Sequence, residues 1–473
     1  MPEYNAIVIG SGPNGLAAAV RLQSEGLSVL VLEGKNSIGG GTRTEELTLP
    51  GYLHDVCSAV HPMAAMSPFF KSLPLERHGL EWLHPPIPAA HPFDDGSAGA
   101  LYDSLEETAQ GLGPDAGAYR RFMRPVVDSL PRLLPGLLSA FPGFRHPFDI
   151  AEFGLRALPP ASWTAGRFES IQARGLWAGM AAHAMQPLEN WITSAIGLML
   201  MSASHAGGWP IPKGGAKKIT EALASYFTSI GGQIRTGFYV KSLSDLPAAQ
   251  AVLFDVTPKQ LLQIAGNVLP AFYRKRLGSY RYGMGVFKID WAVSEQVPFR
   301  AAVCREAGTV HLGGTFEEIA RAERNTARGY IQEKPFVLLA QPGLIDPSRA
   351  PAGRHTVWAY CHMPNASAID MTGPVERQVE RFAPGFRDTI LARHTFSAVE
   401  MEAYNPNYIG GDINGGVQDI FQHFSRPVLS ISPYRTPAKG IYLCSSSTPP
   451  GGGVHGMCGF HAAERALKDN VFK

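Results

Sequence analysis

Tyr4-Asn5-Ala6-Ile7-Val8-Ile9-Gly10-Ser11-Gly12-Pro13-Asn14-Gly15, near the start of a 473-residue chain, is the stretch from which the rest is read. Tyr4 to Ile9 is a short apolar run rich in β-branched residues, which predicts a strand buried on both faces. A helical pattern follows from Leu16 to Glu25, with Leu16, Ala19, Val20 and Leu22 on one side, and Gly26 supplies the residue that stops it. Ser28 to Leu32 is a second apolar strand ending on Glu33, at about the 20-residue spacing of a dinucleotide-binding unit. Gly10 permits the tight turn, Gly12 lets backbone approach a pyrophosphate, and Gly15 lets helix and strand pack closely. Pro13 and Asn14 sit in the same turn, where the helix N-terminus favours an anion. Glu33, backed by Gly34, can accept hydrogen bonds from ribose hydroxyls and disfavours a 2′-phosphate. An adenine dinucleotide is expected here.

Hydrophobic residues make up 45% of the chain and charged ones 17%, against about 25% in an average soluble domain. The length suits two or three domains, and the shortage of charge implies a large core or apolar surface kept for a lipid-like partner. Net charge is +2 and no Lys/Arg run is long enough to suggest nucleic acid. Cys57, Cys304, Cys361, Cys444 and Cys458 are odd in number and widely spaced, so they read as reduced thiols and not as a disulfide frame or metal site. The first strand begins too early for a signal peptide. A cytoplasmic protein is expected, either free or peripheral to the inner face of the membrane. The longest uncharged stretch, Asn190 to Pro212, is interrupted by His205, Gly207-Gly208 and Pro210, which predicts a buried helix ending in a turn.

Ser37-Ile38-Gly39-Gly40-Gly41-Thr42-Arg43-Thr44 follows the second strand and resembles the second glycine motif of flavoproteins related to monoamine oxidase and phytoene desaturase. The resemblance implies FAD, with Gly40, Gly41, Thr42 and Arg43 against its phosphates. Many members of that group carry an arginine directly after the glycine pair, where this chain has Gly41.

Further along, Phe122, Val126, Leu130, Leu133, Leu134 and Leu138 recur at helical spacing, with prolines at 125, 131, 135 and 142 expected to break the segment into short helices. This segment is either plain core or a helical cap facing a substrate tunnel or membrane surface. Trp177, Met180, Met185, Trp191, Met199 and Met201 are candidates to line the same tunnel. A helix from Lys217 to Ile230 ends at Gly231-Gly232 before a strand-rich segment, Gln233 to Leu243. By the same resemblance the backbone of Val240 contacts adenine. Gly283–Ala292, Ala307–Gly314, Phe336–Gln341 and His355–His362 are strand-like and predict an antiparallel sheet that floors a cavity. Val375 to His394 is expected as a helix, and Tyr404 to Gly416 as a loop without an assigned role.

Gly440 to Cys444 is a last buried strand, and Val454-His455-Gly456-Met457-Cys458-Gly459 opens a final helix whose positive end would suit the reduced flavin. Ser445 and Ser446 stand where relatives commonly have a Gly-Asp pair. From end to end the arrangement resembles bacterial phytoene dehydrogenase-like flavoproteins, relatives of carotenoid desaturases, carotenoid isomerases and retinol saturase. The resemblance implies an α/β fold: a doubly wound, Rossmann-like FAD domain from residues 1–66, 205–261 and 429–473. A mixed-sheet and helical substrate domain with a helical cap is then inserted as 67–204 and 262–428. It also implies flavin chemistry, by hydride transfer at N5, on a C–C bond of an apolar, polyene or isoprenoid substrate. His455 and His61 are the best acid–base candidates, and no metal-ligand spacing, Ser/His/Asp elbow or Walker loop competes. An amine oxidase and a non-catalytic lipid carrier of this fold, like the Rab GDP-dissociation inhibitors, stay open as alternatives. The aromatic, Met-rich inserts argue against the first, and the intact glycine set with Glu33 against the second.

Overall fold

The computed structural model describes residues 2–141 and 146–472, and two sheets organise them. The first has five parallel strands in the order Ile441–Leu443, Ala249–Phe254, Tyr4–Ile9, Val29–Leu32, Gln233–Arg235. Alternate side chains go to opposite faces. Ala6, Val8, Val29 and Val31 pack with the helices Pro13–Gln23, Lys217–Ser229 and Met457–Lys468. Ile7, Ile9, Leu30 and Leu32 pack with Leu261, Ile264 and Leu277 of the helices on the other side. Helices on both faces make the sheet doubly wound, and that is why its strands read as unbroken apolar runs.

The second sheet has seven strands in the order Ile390–Phe396, Gly285–Val293, His355–Met363, Val337–Ala340, Ala307–Leu312, Ile87–Pro92, Ala98–Leu101. Its pairings are antiparallel except where Ala307–Leu312 runs parallel to Ile87–Pro92. Val357, Ala359 and Cys361 face a core shared with Val375, Val379 and Phe382 of the helix Thr372–Phe382. Trp358 and Tyr360, one residue out of phase, face the helical layer of Ile171–Ala182 and Thr193–Gly207. The uncharged stretch thus forms the expected internal helix, and no helix of the described residues is long and apolar enough to cross a membrane.

Three expectations are corrected. Pro125, Pro131 and Pro135 do not break their segment, which is one helix from Ala116 to Leu137; Pro142 lies outside the described residues. Each interior proline costs about 3 kcal/mol. Tyr119, Phe122, Met123, Val126, Leu130, Leu133 and Leu134 point inward, and each fully buried large apolar side chain returns about 1.5–3 kcal/mol. Pro131 and Pro135 lie on the exposed side, where freed carbonyls can meet water. The helix expected over 375–394 stops at Phe382, because Pro384 and Gly385 (φ +89°) follow, and Ile390–Phe396 becomes an edge strand. The strand beginning at Gln233 ends at Arg235, ahead of a turn at Gly237 (φ +68°).

Candidate functional site

At the carboxyl end of the first strand, the turn has little room for side chains. Gly10 has φ +101°, and a Cβ on Gly15 would lie 2.1 Å from the Gly10 carbonyl oxygen, so helix and strand meet at glycine contact. A Cβ on Gly40 (φ +54°) would lie 2.9 Å from Gly12 Cα, which brings the two glycine turns together. No side chain caps the helix at Gly12, and Asn14 Oδ1 is buried without a partner. Backbone donors, glycine clearance and an orphan amide are what a pyrophosphate cradle needs.

Glu33 is buried at the tip of its strand and is held from several sides. Its Oε2 accepts from Ser11 N (3.1 Å) and Ser11 Oγ (2.6 Å), and its Oε1 accepts from Lys35 N (2.9 Å) and Arg43 Nη2 (3.1 Å). Arg43 also donates to the carbonyls of Ser37 (2.9 Å) and Gly40 (3.2 Å). It staples the second glycine turn to the acid of the first. Burial and the Arg43 charge lower the Lys35 pKa, and its ammonium sits 3.5 Å from the Tyr404 ring centroid.

The stretch after the second turn is fixed by a hairpin, Thr44–Glu46 with Leu53–Asp55, set against the second sheet by buried charges. Asp55 Oδ1 accepts from Thr44 Oγ1 (2.7 Å) and Ala216 N (2.8 Å), and Arg349 bridges Asp55 (3.1 Å) and Asp346 (2.9 Å). His54 lies 3.5 Å from Asp290, but burial lowers its pKa to about 3, so it is neutral there. Asp290 is engaged by Lys288 on its own strand. This clamp carries the chain into Cys57, Ser58, Ala59 and Val60, which line the cavity.

The cavity, of about 540 Å³, runs from the glycine turns to the second sheet. Its distal end is made by Leu200, Trp209, Leu338, Trp358, Tyr360, Thr309 and His183. Trp209 Nε1 donates to Thr309 Oγ1 at 2.9 Å, and the Trp358 and Tyr360 rings meet edge-on at 5.3 Å. His183 shares an Nε2–Nε2 hydrogen bond of 2.9 Å with His311, and burial lowers its pKa to about 3. Three of the four strands expected to floor a cavity therefore do so, through Thr309, Leu338, Trp358 and Tyr360, while Gly285–Val293 lies in the sheet without lining it.

Of the residues expected at the cofactor, Gly10, Gly12, Pro13, Asn14, Glu33, Gly34, Gly40, Gly41, Arg43 and Val240 line this cavity. Four do not line it and act structurally. Gly15 packs the helix on the strand, and Thr42 Oγ1 donates to the Gly39 carbonyl at 2.8 Å. Gly456, whose Cβ would lie 2.4 Å from the Phe70 ring, and buried Met457 fix the start of the last helix. Neither proposed acid–base histidine lines it. His455 Nδ1 accepts from Met457 N at 3.1 Å, which makes it a local cap, and burial lowers its pKa to about 4. His61 is buried with both ring nitrogens unpartnered, and its pKa also falls to about 4. Of the candidate tunnel segment 119–204, His183 and Leu200 line the cavity, while Trp177, Met180, Met185 and Met201 are core and Trp191 is exposed.

Two groups were not foreseen. The Tyr404–Gly416 loop lines the cavity through Tyr404, Asn405, Asn407, Tyr408, Asn414 and Gly415. Asp255 lies directly under the first glycine turn: register pairs Ile9 with Phe254, so the next residue comes beside Gly10.

The NAD(P)-binding Rossmann-like domain family matches residues 8–73. The chain is 26% identical to the rat (Rattus norvegicus) "Pyridine nucleotide-disulfide oxidoreductase domain-containing protein 2", covering 99% of this chain and 94% of that protein. It is 23% identical to "Phytoene desaturase (lycopene-forming)" of a Paracoccus species, covering 96% and 95%. Among solved structures, a putrescine oxidase superposes with a TM-score of 0.62 at 16% identity, covering 99% of each chain. The chain carries a Rossmann-like FAD/NAD(P)-binding domain within the fold of that oxidase, and its cofactor is FAD.

Proposed function

We propose that this protein is an FAD-dependent oxidoreductase that acts on a C–C bond of a neutral, largely apolar substrate. One observation carries the reading: the distribution of charge along the cavity. Glu33, Lys35, Arg43 and Asp255 line its nucleotide end, whereas the distal end holds Leu200, Trp209, Leu338, Trp358 and Tyr360 with Thr309 and His183. At neutral pH His183 carries no charge there. An ammonium or carboxylate would lose its hydration at that end without a counter-ion, whereas apolar surface gains about 25 cal/mol per Å² buried. The phytoene desaturase relative acts on a substrate of the proposed kind, by its name.

FAD supplies a two-electron acceptor or donor at this site. The chain's own residues do the rest. Gly12, Asn14, Gly40 and Gly41 would hold the phosphates, and Glu33 the ribose, with hydroxyls exchanging for the Ser11 Oγ bond. Trp209, Trp358 and Tyr360 position the apolar body of the substrate and exclude water. The test is anaerobic mixing of the purified yellow protein with neutral alkenes and enones and, separately, with primary amines. Reduction or product formation with the neutral class alone is expected. Bleaching by amines with no response to neutral compounds would overturn the reading in favour of an amine oxidase.

A further inference from the structure

Among the described residues, the carboxylate under the first glycine turn has no partner of opposite charge. Asp255 Oδ2 accepts from Gly15 N at 2.8 Å and lies 2.8 Å from where a Cβ on Gly12 would be. Asp255 lines the cavity with Gly10 to Asn14 and with Gly40 and Gly41. The residue is thus set into the cradle that receives a pyrophosphate. The groups facing it come from four places: the Gly15 N–H on the first helix, Glu33 after the second strand, Cys444 just past the last strand and Cys458 on the last helix. Both thiols are pushed up by burial and stay neutral, and no lysine or arginine is among these groups.

We propose that Asp255 is a cofactor-binding residue that takes the dinucleotide in its protonated form, so that FAD capture at neutral or higher pH takes up a proton. A pyrophosphate brings two negative charges beside a carboxylate that no cation of the described residues pairs with, and like charges at that range oppose each other's ionised forms. Burial, above all, raises the carboxyl to about 7 even before a phosphate arrives; the Gly15 N–H opposes the rise and the Glu33 charge adds to it. Protonated, the same group becomes a donor facing an anion.

The sign follows from linkage. When the bound state holds a proton that the free state has lost, affinity falls as pH rises past the free-state value of about 7, up to ten-fold per unit. His61, His183 and His455 titrate well below this range.

The experiment measures the FAD dissociation constant of the holoprotein by flavin fluorescence on dilution, from pH 6 to 9, for the native chain and Asp255→Asn. The native constant is expected to rise above pH 7, and the variant to bind with a nearly flat profile. A flat native profile would overturn the proposal, as would an unchanged slope in Asp255→Asn. Should that variant not accumulate, calorimetry of FAD rebinding by the native protein at pH 8, in two buffers of different ionisation enthalpy, decides instead. Uptake approaching one proton per FAD supports the proposal, and no net uptake refutes it.

Discussion

Glu33 and Arg43 form a buried pair that can be taken apart by a double-mutant cycle. Both are buried, and Glu33 holds four donors: Ser11 N, Ser11 Oγ, Lys35 N and Arg43 Nη2. Glu33→Ala removes the ribose acceptor, and one lost charge-assisted hydrogen bond costs about 1.5–3 kcal/mol, roughly a 10- to 150-fold weaker FAD complex. It also leaves the Arg43 guanidinium buried without its counter-ion, which costs about 3–5 kcal/mol of stability. Arg43→Met is milder, because Glu33 keeps the two Ser11 donors and Lys35 N. The double variant carries no unpaired charge. It should therefore bind FAD no worse than Glu33→Ala and melt at a higher temperature than that single variant. Flavin fluorescence titration and thermal unfolding of all four proteins, at one fixed FAD concentration, give the coupling. Additive effects in both readouts would refute the view that Arg43 acts through Glu33.

Three more outcomes are expected. Gly15→Ala would put a methyl 2.1 Å from the Gly10 carbonyl oxygen, so the protein should lose flavin, and a yellow variant of native absorbance would refute the packing role given to this glycine. Burial lowers His61, His91, His205, His423 and His455 to about 4 and His54 and His183 to about 3, each well below the ordinary histidine value. Above about pH 6.5 these groups are neutral folded or unfolded; below it the unfolded chain protonates first, so the melting temperature should fall steeply from pH 6.5 to 4 and stay nearly level above. Tyr360→Phe and His183→Leu alter the distal end, so they should change substrate turnover while leaving the FAD dissociation constant within about two-fold; equal losses in both would move these residues to the cofactor.

What was readable in the sequence was what local rules decide. The first glycine turn announces itself because each position answers a nearby demand: Gly10 for φ +101°, and Gly15 for contact with the Gly10 carbonyl. The five-stranded sheet was readable because helices on both faces leave a run of apolar residues in each strand. Long-range demands left weaker marks. Prolines in the helix Ala116–Leu137 obey the local rule against them only until seven inward side chains are counted. Arg43 gave no sign of its partner, because Glu33 reaches it only after the chain has turned back on itself at Gly39 and Gly40.

Asp255 shows where that boundary lies. In sequence it is one acid inside an apolar run, Ala251 to Thr257, that reads as a buried strand. Its role comes from register: Asp255 N donates to the Ile9 carbonyl at 2.8 Å, and parallel pairing over more than two hundred intervening residues brings it to Gly10. A slip of one residue would turn Val256 or Phe254 to that place and every neighbour to the wrong face. The same register buries Leu253 with the helices on one face and Phe254 with Leu261 and Ile264 on the other. The apolar alternation that stabilises the sheet thus sets a carboxyl group among the glycines of the nucleotide turn. Folding energetics and cofactor chemistry are decided there by one strand pairing.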